Sequence, residues 1–426
     1  MLSKEIIKEV IVSNGEFIGR HVRGIVPREG VRLPGELKKT VVFYGVRRSG
    51  KTFILYDIFL KHREHAFYAD FEDDRLKGFD LKDFERLNDA VGELRPDLIG
   101  KKKVFLFDEI QNVEGWERFC RRLVERENTE VFVSGSSSRV MPAEIHTVLR
   151  GRSWSMEVLP FSYREFLVAR GFDSSGKGGF FGEKRAQAKG YFTEYLKWGG
   201  LPEVASLKSE LDKTKLIREY LHALYFRDLV ERYAITNIPL FETLLDQLFA
   251  SFGVKFSLTA FYKNYRQRLP FSKDLLFRYY KHFIESMLVC EVRKFAESAY
   301  ARARNPAKIY LFDTGLCRRV TSEDRGRLLE NAVFLELRRK GHEIFFHEEK
   351  RECDFIARLS DRGFSPVQVC YELNEKNRKR EIGGMTEACR RLGLKRGLML
   401  TYDDEEGLQA DGIEITVMPV WKWLLL

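Results

Sequence analysis

Three observations in this sequence predict an α/β fold. Short apolar runs rich in Val, Phe and Tyr recur, as at Val41–Tyr44 and Val104–Phe107, and read as strands. Between them lie stretches with apolar residues at i, i+3, i+4 spacing, as at Leu55, Ile58 and Phe59, which read as amphipathic helices. A glycine-bearing stretch, GVRRSGKT, joins the first such strand directly to the first such helix.

That junction carries the chemistry. Gly45 and Gly50 let the backbone turn tightly and come close to a ligand, where a Cβ would obstruct. The N–H groups of Val46, Arg47, Arg48 and Ser49, with the helix N-terminus, then form a nest for an anion. Lys51 is placed to reach β- and γ-phosphates, and the Thr52 hydroxyl to hold Mg²⁺. The predicted core is therefore a P-loop NTPase domain that binds ATP with Mg²⁺.

A second strand ends in the acids such a core needs. After Val104–Phe107 come Asp108, expected to hold Mg²⁺, and Glu109, expected to orient and deprotonate the attacking water. A small-molecule kinase needs no water-activating acid, so the Asp-Glu pair argues for hydrolysis. The strand near His65–Phe71 ends in Glu72-Asp73-Asp74, at the end where open α/β sheets place ligands. A further strand over Glu130–Val133 leads into a serine-rich loop, with Ser134 first and Ser136 second as γ-phosphate sensors. Arg150 and Arg152 are candidates for the cation that neutralises charge developing on the transferred phosphate.

With 426 residues, 44% hydrophobic and 32% charged, the composition is that of a soluble globular protein with room for two or three domains. The net charge of +10 permits contact with nucleic acid without requiring it. Six scattered cysteines without a Cys-x-x-Cys, and eight histidines without ligand spacing, argue against a disulfide framework or zinc site and fit a reducing compartment. The opening MLSKEIIKEV lacks the apolar core of a signal peptide, and no apolar run is long enough to cross a bilayer. A cytoplasmic protein with no membrane partner is expected.

Residues 1–39, punctuated by Gly24, Pro27, Gly30, Pro34 and Gly35, read as an N-terminal arm, and 40–172 as the ATPase core. The Gly/Ser/Lys-rich 173–190 reads as a flexible linker. In 191–325, a helix with the apolar face Leu240, Leu244, Leu245, Leu248 and Phe249 and two helices capped by Ser257 and Ser272 precede a strand over Leu288–Phe295, a basic loop Tyr300–Lys308 and a strand Ile309–Phe312. Three helices followed by a two-stranded wing make a winged helix. Arg266, Arg268, Lys273, Arg278 and Lys281, interleaved with Tyr265, Tyr279 and Tyr280, can track a DNA backbone. Protein contact or an ATPase lid is equally open to it. Residues 326–426 are again α/β.

With these residues in view, the chain resembles the prokaryotic AAA+-type P-loop ATPases whose C-terminal half is a domain of unknown function. The resemblance rests on GVRRSGKT, YADFEDDRL, VFLFDEIQNVEGWE, VSGSSS, LRGRSWSMEVLPFSYREF, YLKWGGLPEV, KIYLFDTGL and ENAVFLELRRKG, in order along nearly the whole chain. It implies an AAA+ core, a helical and winged-helix middle domain, and a terminal restriction-endonuclease-like α/β domain similar to the PD-(D/E)XK fold. A nuclease site of that kind wants a helix acid, a strand acid and an (Asp/Glu)-x-Lys. Glu330 and Asp354 match the first two, whereas the third position has Gln368-Val369-Cys370, so the lysine is missing. Glu372, two residues on from Cys370, is a candidate substitute ligand.

The sequence thus predicts a Mg²⁺-dependent ATPase whose nucleotide state repositions a winged-helix and nuclease-like module, with DNA, self-association or a protein client as possible partners. Two rivals stay open. One is an ATP-dependent DNA nuclease; the other is a non-catalytic, ATP-switched binding or regulatory protein.

Overall fold

The computed structural model describes the chain except residues 1, 32, 34–37, 127, 136–148, 150, 175–179, 297, 299–304, 320–323 and 360–362. It divides into two compact units, Met1–Val158 and Leu159–Leu426. The first compact unit thus closes at Val158, within the 40–172 stretch expected for the core. Among the described residues, no helix is long and apolar enough to cross a membrane. All six cysteines are buried and free.

The first unit opens not on an arm but on an 18-residue helix, α1 (Lys4–His21), capped by the Ser3 side chain. Its Ile7, Val10, Ile11 and Ile18 are buried in the unit's core. Then follow β1 (Thr40–Tyr44), α2 (Lys51–Lys61), β2 (Ala66–Asp70), α3 (Asp83–Leu94), β3 (Lys103–Asp108), α4 (Trp116–Arg126), β4 (Thr129–Gly135) and β5 (Ser153–Glu157). Among the described residues the five strands form one parallel sheet in the order β2-β3-β4-β1-β5.

Period-two alternation buries both faces of that sheet. Val42, Phe67, Phe105, Phe107 and Val133 face a core shared with Phe84, Trp116 and Phe119. Val41, Phe43, Tyr68, Leu106 and Phe132 face a second core with Leu55, Ile58 and Phe59. At roughly 25 cal/mol per Å² of apolar surface, these two layers supply the unit's main stabilising term.

In the second unit, Gly182–Trp198 is helical, so the predicted linker over 173–190 is helix from Gly182 onward. The motifs around Gly199-Gly200 and Asp313 meet here. The Asp313 carboxylate accepts from the Gly200 N–H at 2.7 Å and the Gly315 N–H at 2.9 Å. Their role is architectural.

Ser257 and Ser272 cap the helices Leu258–Tyr265 and Lys273–Glu285, accepting from the Ala260 and Leu275 N–H groups. Strands β6 (Lys255–Phe256), β7 (Val289–Lys294) and β8 (Ala307–Leu311) are antiparallel neighbours. A helix (Arg325–Arg339), β9 (Glu343–Glu348), β10 (Glu352–Leu359), β11 (Gly363–Val369), a helix (Arg378–Arg391) and β12 (Arg396–Thr401) come next. The chain closes with β13 (Glu406–Ala410) and β14 (Ile413–Pro419).

The expected break at 325/326 is bridged by backbone. β7 pairs in parallel with β9, so the middle strands and the C-terminal strands share one nine-stranded sheet among the described residues. The proposed winged-helix and nuclease-like parts are one folded body, because hydrogen-bonded strands cannot separate without exposing unpaired N–H and C=O groups.

Candidate functional site

The sheet order of the first unit builds the nucleotide site. β4 lies between β1 and β3, and all three run the same way, so the loop after Tyr44, Ser134 and Asp108 arrive at one edge. In open parallel sheets this carboxyl edge is where ligands sit.

Gly45 adopts φ +152°, and a Cβ there would stand 2.3 Å from the Val158 carbonyl oxygen. Only glycine passes this point. Gly50 begins α2 in the left-handed region, at φ 96°. Between them Arg48 also has positive φ, 67°, giving the tight loop that a phosphate nest requires. Lys51 is buried, its ammonium donating to the Gly45 and Val46 carbonyls at 3.1 and 3.0 Å. Arg47 pairs with Glu72 at 3.0 Å, which ties the acidic run after β2 to the phosphate loop. Arg28, from the stretch before β1, donates to the Ser49 carbonyl at 2.7 Å.

Asp108 is the centre of the acids. Its carboxylate accepts from the Ser134 hydroxyl, from Tyr68 Oη at 2.9 Å and from the Glu109 N–H at 3.1 Å. Burial pushes its carboxyl up, opposed by hydrogen bonds from Ser134 and Thr52. Glu109 occupies the left-handed region, φ 47°, an uncommon conformation for a non-glycine residue, and accepts from Gln111 Nε2.

Asp70, beside Asp108 in the strand register, is pushed up to about 7 by burial and by the charges of Asp108, Glu72 and Glu109. Sequence reasoning passed over Asp70, Tyr68 and Gln111. All three stand in stretches that carry the resemblance, Tyr68 and Asp70 in YADFEDDRL and Gln111 in VFLFDEIQNVEGWE, but no local pattern marks them as site residues.

The donor set suits Mg²⁺, which prefers oxygen ligands. The Thr52 hydroxyl and Asp108 carboxylate are already hydrogen-bonded to each other, and the carboxylates of Glu109 and Asp70 lie near Asp108.

Arg152 is not brought to this edge. It precedes Ser153, which registers with Thr40 at the opposite end of β1, and its guanidinium pairs with Glu125. A five-residue strand separates the two edges by roughly 13 Å. A charge-neutralising role within its own chain is therefore closed to Arg152. Arg150 and Ser136 lie outside the described residues.

In the second unit, Glu330 on the helix Arg325–Arg339, Asp354 on β10 and Gln368 on β11 do converge. Asp354 lies at a register shift between Cys353 and Ile356, a bulge that re-aims its side chain. The cation among these groups is Lys308 of β8. Its ammonium lies 3.1 Å from Glu330, 2.7 Å from Glu352 and 2.9 Å from Asp354.

Burial works against the Lys308 charge, but the carboxylates of Asp354, Glu330 and Glu352 outweigh it and hold the ammonium well above its usual range. Glu330 is pushed up to about 7 by burial and by Asp354. Gln368 Oε1 accepts from the Asp354 N–H at 3.2 Å and its Nε2 donates to Glu381 at 2.6 Å. Glu372 lies beyond the end of β11, exposed in the same cleft as Glu330, Asp354 and Gln368, whereas Glu352 contacts Lys308 directly.

Lys308, expected to end the basic loop Tyr300–Lys308, instead lies in β8 with its side chain 2% exposed. Tyr279 and Tyr280 are core residues, donating to or accepting from Asn237 and Glu291, and are not available to stack on bases. Arg266, Arg268, Lys273, Arg278 and Lys281 are exposed.

Residues 37–167 match the AAA domain family, and residues 189–326 match a domain of unknown function (DUF8612). An uncharacterized protein of Methanocaldococcus jannaschii, MJ1544, is 33% identical over 440 residues, covering 100% of this chain and 96% of its own. An uncharacterized protein of Haemophilus influenzae is 28% identical, covering 90% and 94%. Among solved structures, the Walker-type ATPase PABY2304 of Pyrococcus abyssi is 14% identical with a TM-score of 0.43, covering 75% of this chain and 96% of that one.

Proposed function

This chain belongs to the family of the uncharacterized protein MJ1544, and from that premise and its AAA domain we propose that it is a Mg²⁺-dependent ATPase. The observation that carries the reading is the single sheet edge holding Lys51, Asp108, Glu109 and Ser134. The loop Gly45–Thr52 takes the triphosphate, with Lys51 exchanging its carbonyl partners for phosphate oxygens. Thr52 and Asp108 hold Mg²⁺, which when bound offsets charge on the β- and γ-phosphates. Glu109 accepts a proton from the water that attacks the γ-phosphorus; the bond to the β–γ bridging oxygen breaks and ADP leaves. Ser134, hydrogen-bonded to Asp108, is the γ-phosphate sensor.

The test is calorimetry with ATP and Mg²⁺ alongside phosphate release. Glu109→Gln should bind ATP like the parent and hydrolyse it about 10²–10³-fold more slowly. Near-parental hydrolysis removes Glu109 from its role. No magnesium-supported ATP affinity in the folded parent removes the whole reading.

The exposed Arg266, Arg268, Lys273, Arg278 and Lys281 support a second element, contact with a DNA backbone by the winged-helix part. Its affinity should fall steeply with salt, and retention on DNA that ignores salt would remove it. The nuclease alternative draws no support from the acid cluster, whose cation is a protein ammonium.

A further inference from the structure

The nuclease-like resemblance calls for a divalent cation at Glu330, Asp354 and Gln368, and the side chains present do not fit one. An ammonium has three N–H groups, and Lys308 has three carboxylates within hydrogen-bond range, Glu330, Glu352 and Asp354. Two of these carboxylates and the glutamine also accept from other protein donors. Glu330 Oε1 accepts from Tyr310 Oη at 2.6 Å, and Asp354 Oδ2 from the Val369 N–H at 2.9 Å. The Gln368 carbonyl accepts from the Asp354 N–H.

Spacing agrees with this. The carboxylate oxygens stand 2.7–3.1 Å from Nζ, the span of N–H···O contacts, whereas Mg²⁺–O bonds are about 2.0–2.1 Å. The position among these oxygens that a shared metal would take is held by Nζ.

We propose that the Lys308 ammonium stands in place of a divalent cation in this cluster, making it a permanently filled, metal-free site that ties β8 to β10 and to the helix Arg325–Arg339. The cleft of about 860 Å³ above it, lined by Glu330, Glu352, Asp354 and Gln368, is then a relic in shape and not a metal-dependent hydrolytic centre. Removing the ammonium leaves Glu330 and Asp354 without their lysine and Glu352 with Lys255 alone, an oxygen-rich site for a hard cation.

The test measures Mn²⁺ binding to nucleotide-free full chain by electron paramagnetic resonance, away from any ATP chemistry. Lys308→Met, near-constant in volume and neutral, should bind Mn²⁺ at least tenfold more tightly than the parent, and adding Asp354→Asn should abolish the gain. No gain in folded Lys308→Met overturns the proposal. Should that variant fail to fold, the parent and Asp354→Asn decide alone: equal Mn²⁺ binding by both supports the proposal, and parent binding that disappears with Asp354→Asn overturns it.

Discussion

The phosphate loop and the acid cluster each bury a lysine, and the two ammoniums differ in what holds them. Lys51 donates to the neutral carbonyls of Gly45 and Val46, while Lys308 donates to three carboxylates. A phosphate oxygen offers Lys51 a stronger, charge-assisted bond than a carbonyl does, so an incoming triphosphate displaces those partners at a gain. No incoming anion improves on the carboxylates around Lys308. Burial and residue type are the same; what differs is that three carboxylates surround Lys308, whereas backbone carbonyls accept from Lys51.

Substitutions at the two lysines should therefore fail in opposite ways. Lys51→Ala should reduce ATP turnover by on the order of 10³-fold or more, about 4 kcal/mol in the barrier, while leaving thermal stability nearly unchanged. Phosphate release and differential scanning calorimetry together check this. A large stability loss with retained turnover would break the contrast at its first term.

Lys308→Ala should cost roughly 3–5 kcal/mol of stability, because it leaves buried carboxylates uncompensated, with ATP affinity within about twofold of the parent. Denaturant unfolding of the second unit, read beside nucleotide calorimetry, checks it. A variant as stable as the parent would mean that the ammonium contributes nothing net.

The smallest effect sharpens the contrast through pH. Folded Asp70 keeps its proton up to about 7, whereas an unfolded aspartate loses it near 4, roughly. Between those values the folded state binds more protons, so this contribution is full below the lower value and is lost as pH rises toward 7. Asp70→Asn should flatten the decline in melting temperature over that window by roughly 2–4 °C. An unchanged slope would place the titration elsewhere.

Much of the first unit was legible because its signals are local. Glycines at tight backbone, a lysine one residue into a helix, and acids closing an apolar strand each follow from chemistry within a few residues. The helix caps at Ser257 and Ser272 are local in the same way. Lys308 was misread for the converse reason. Its partners lie 22, 44 and 46 residues further on, and nothing near it in sequence distinguishes an inward lysine from a solvated one. Glu372 was assigned by a strand period that stops at Val369.

What this sequence determined by itself is the strand–loop–helix junction at 45–52, the acids that close β3 and the α/β alternation, since backbone geometry and strand periodicity are short-range. Tertiary structure alone decided that Asp70 joins Asp108, that Arg152 stands at the far edge of its sheet, and that β7 and β9 weld two predicted domains into one. It also decided that a strand lysine, not a metal, neutralises Glu330 and Asp354. Strand order and register set these pairings, and neither is written in any local stretch of residues.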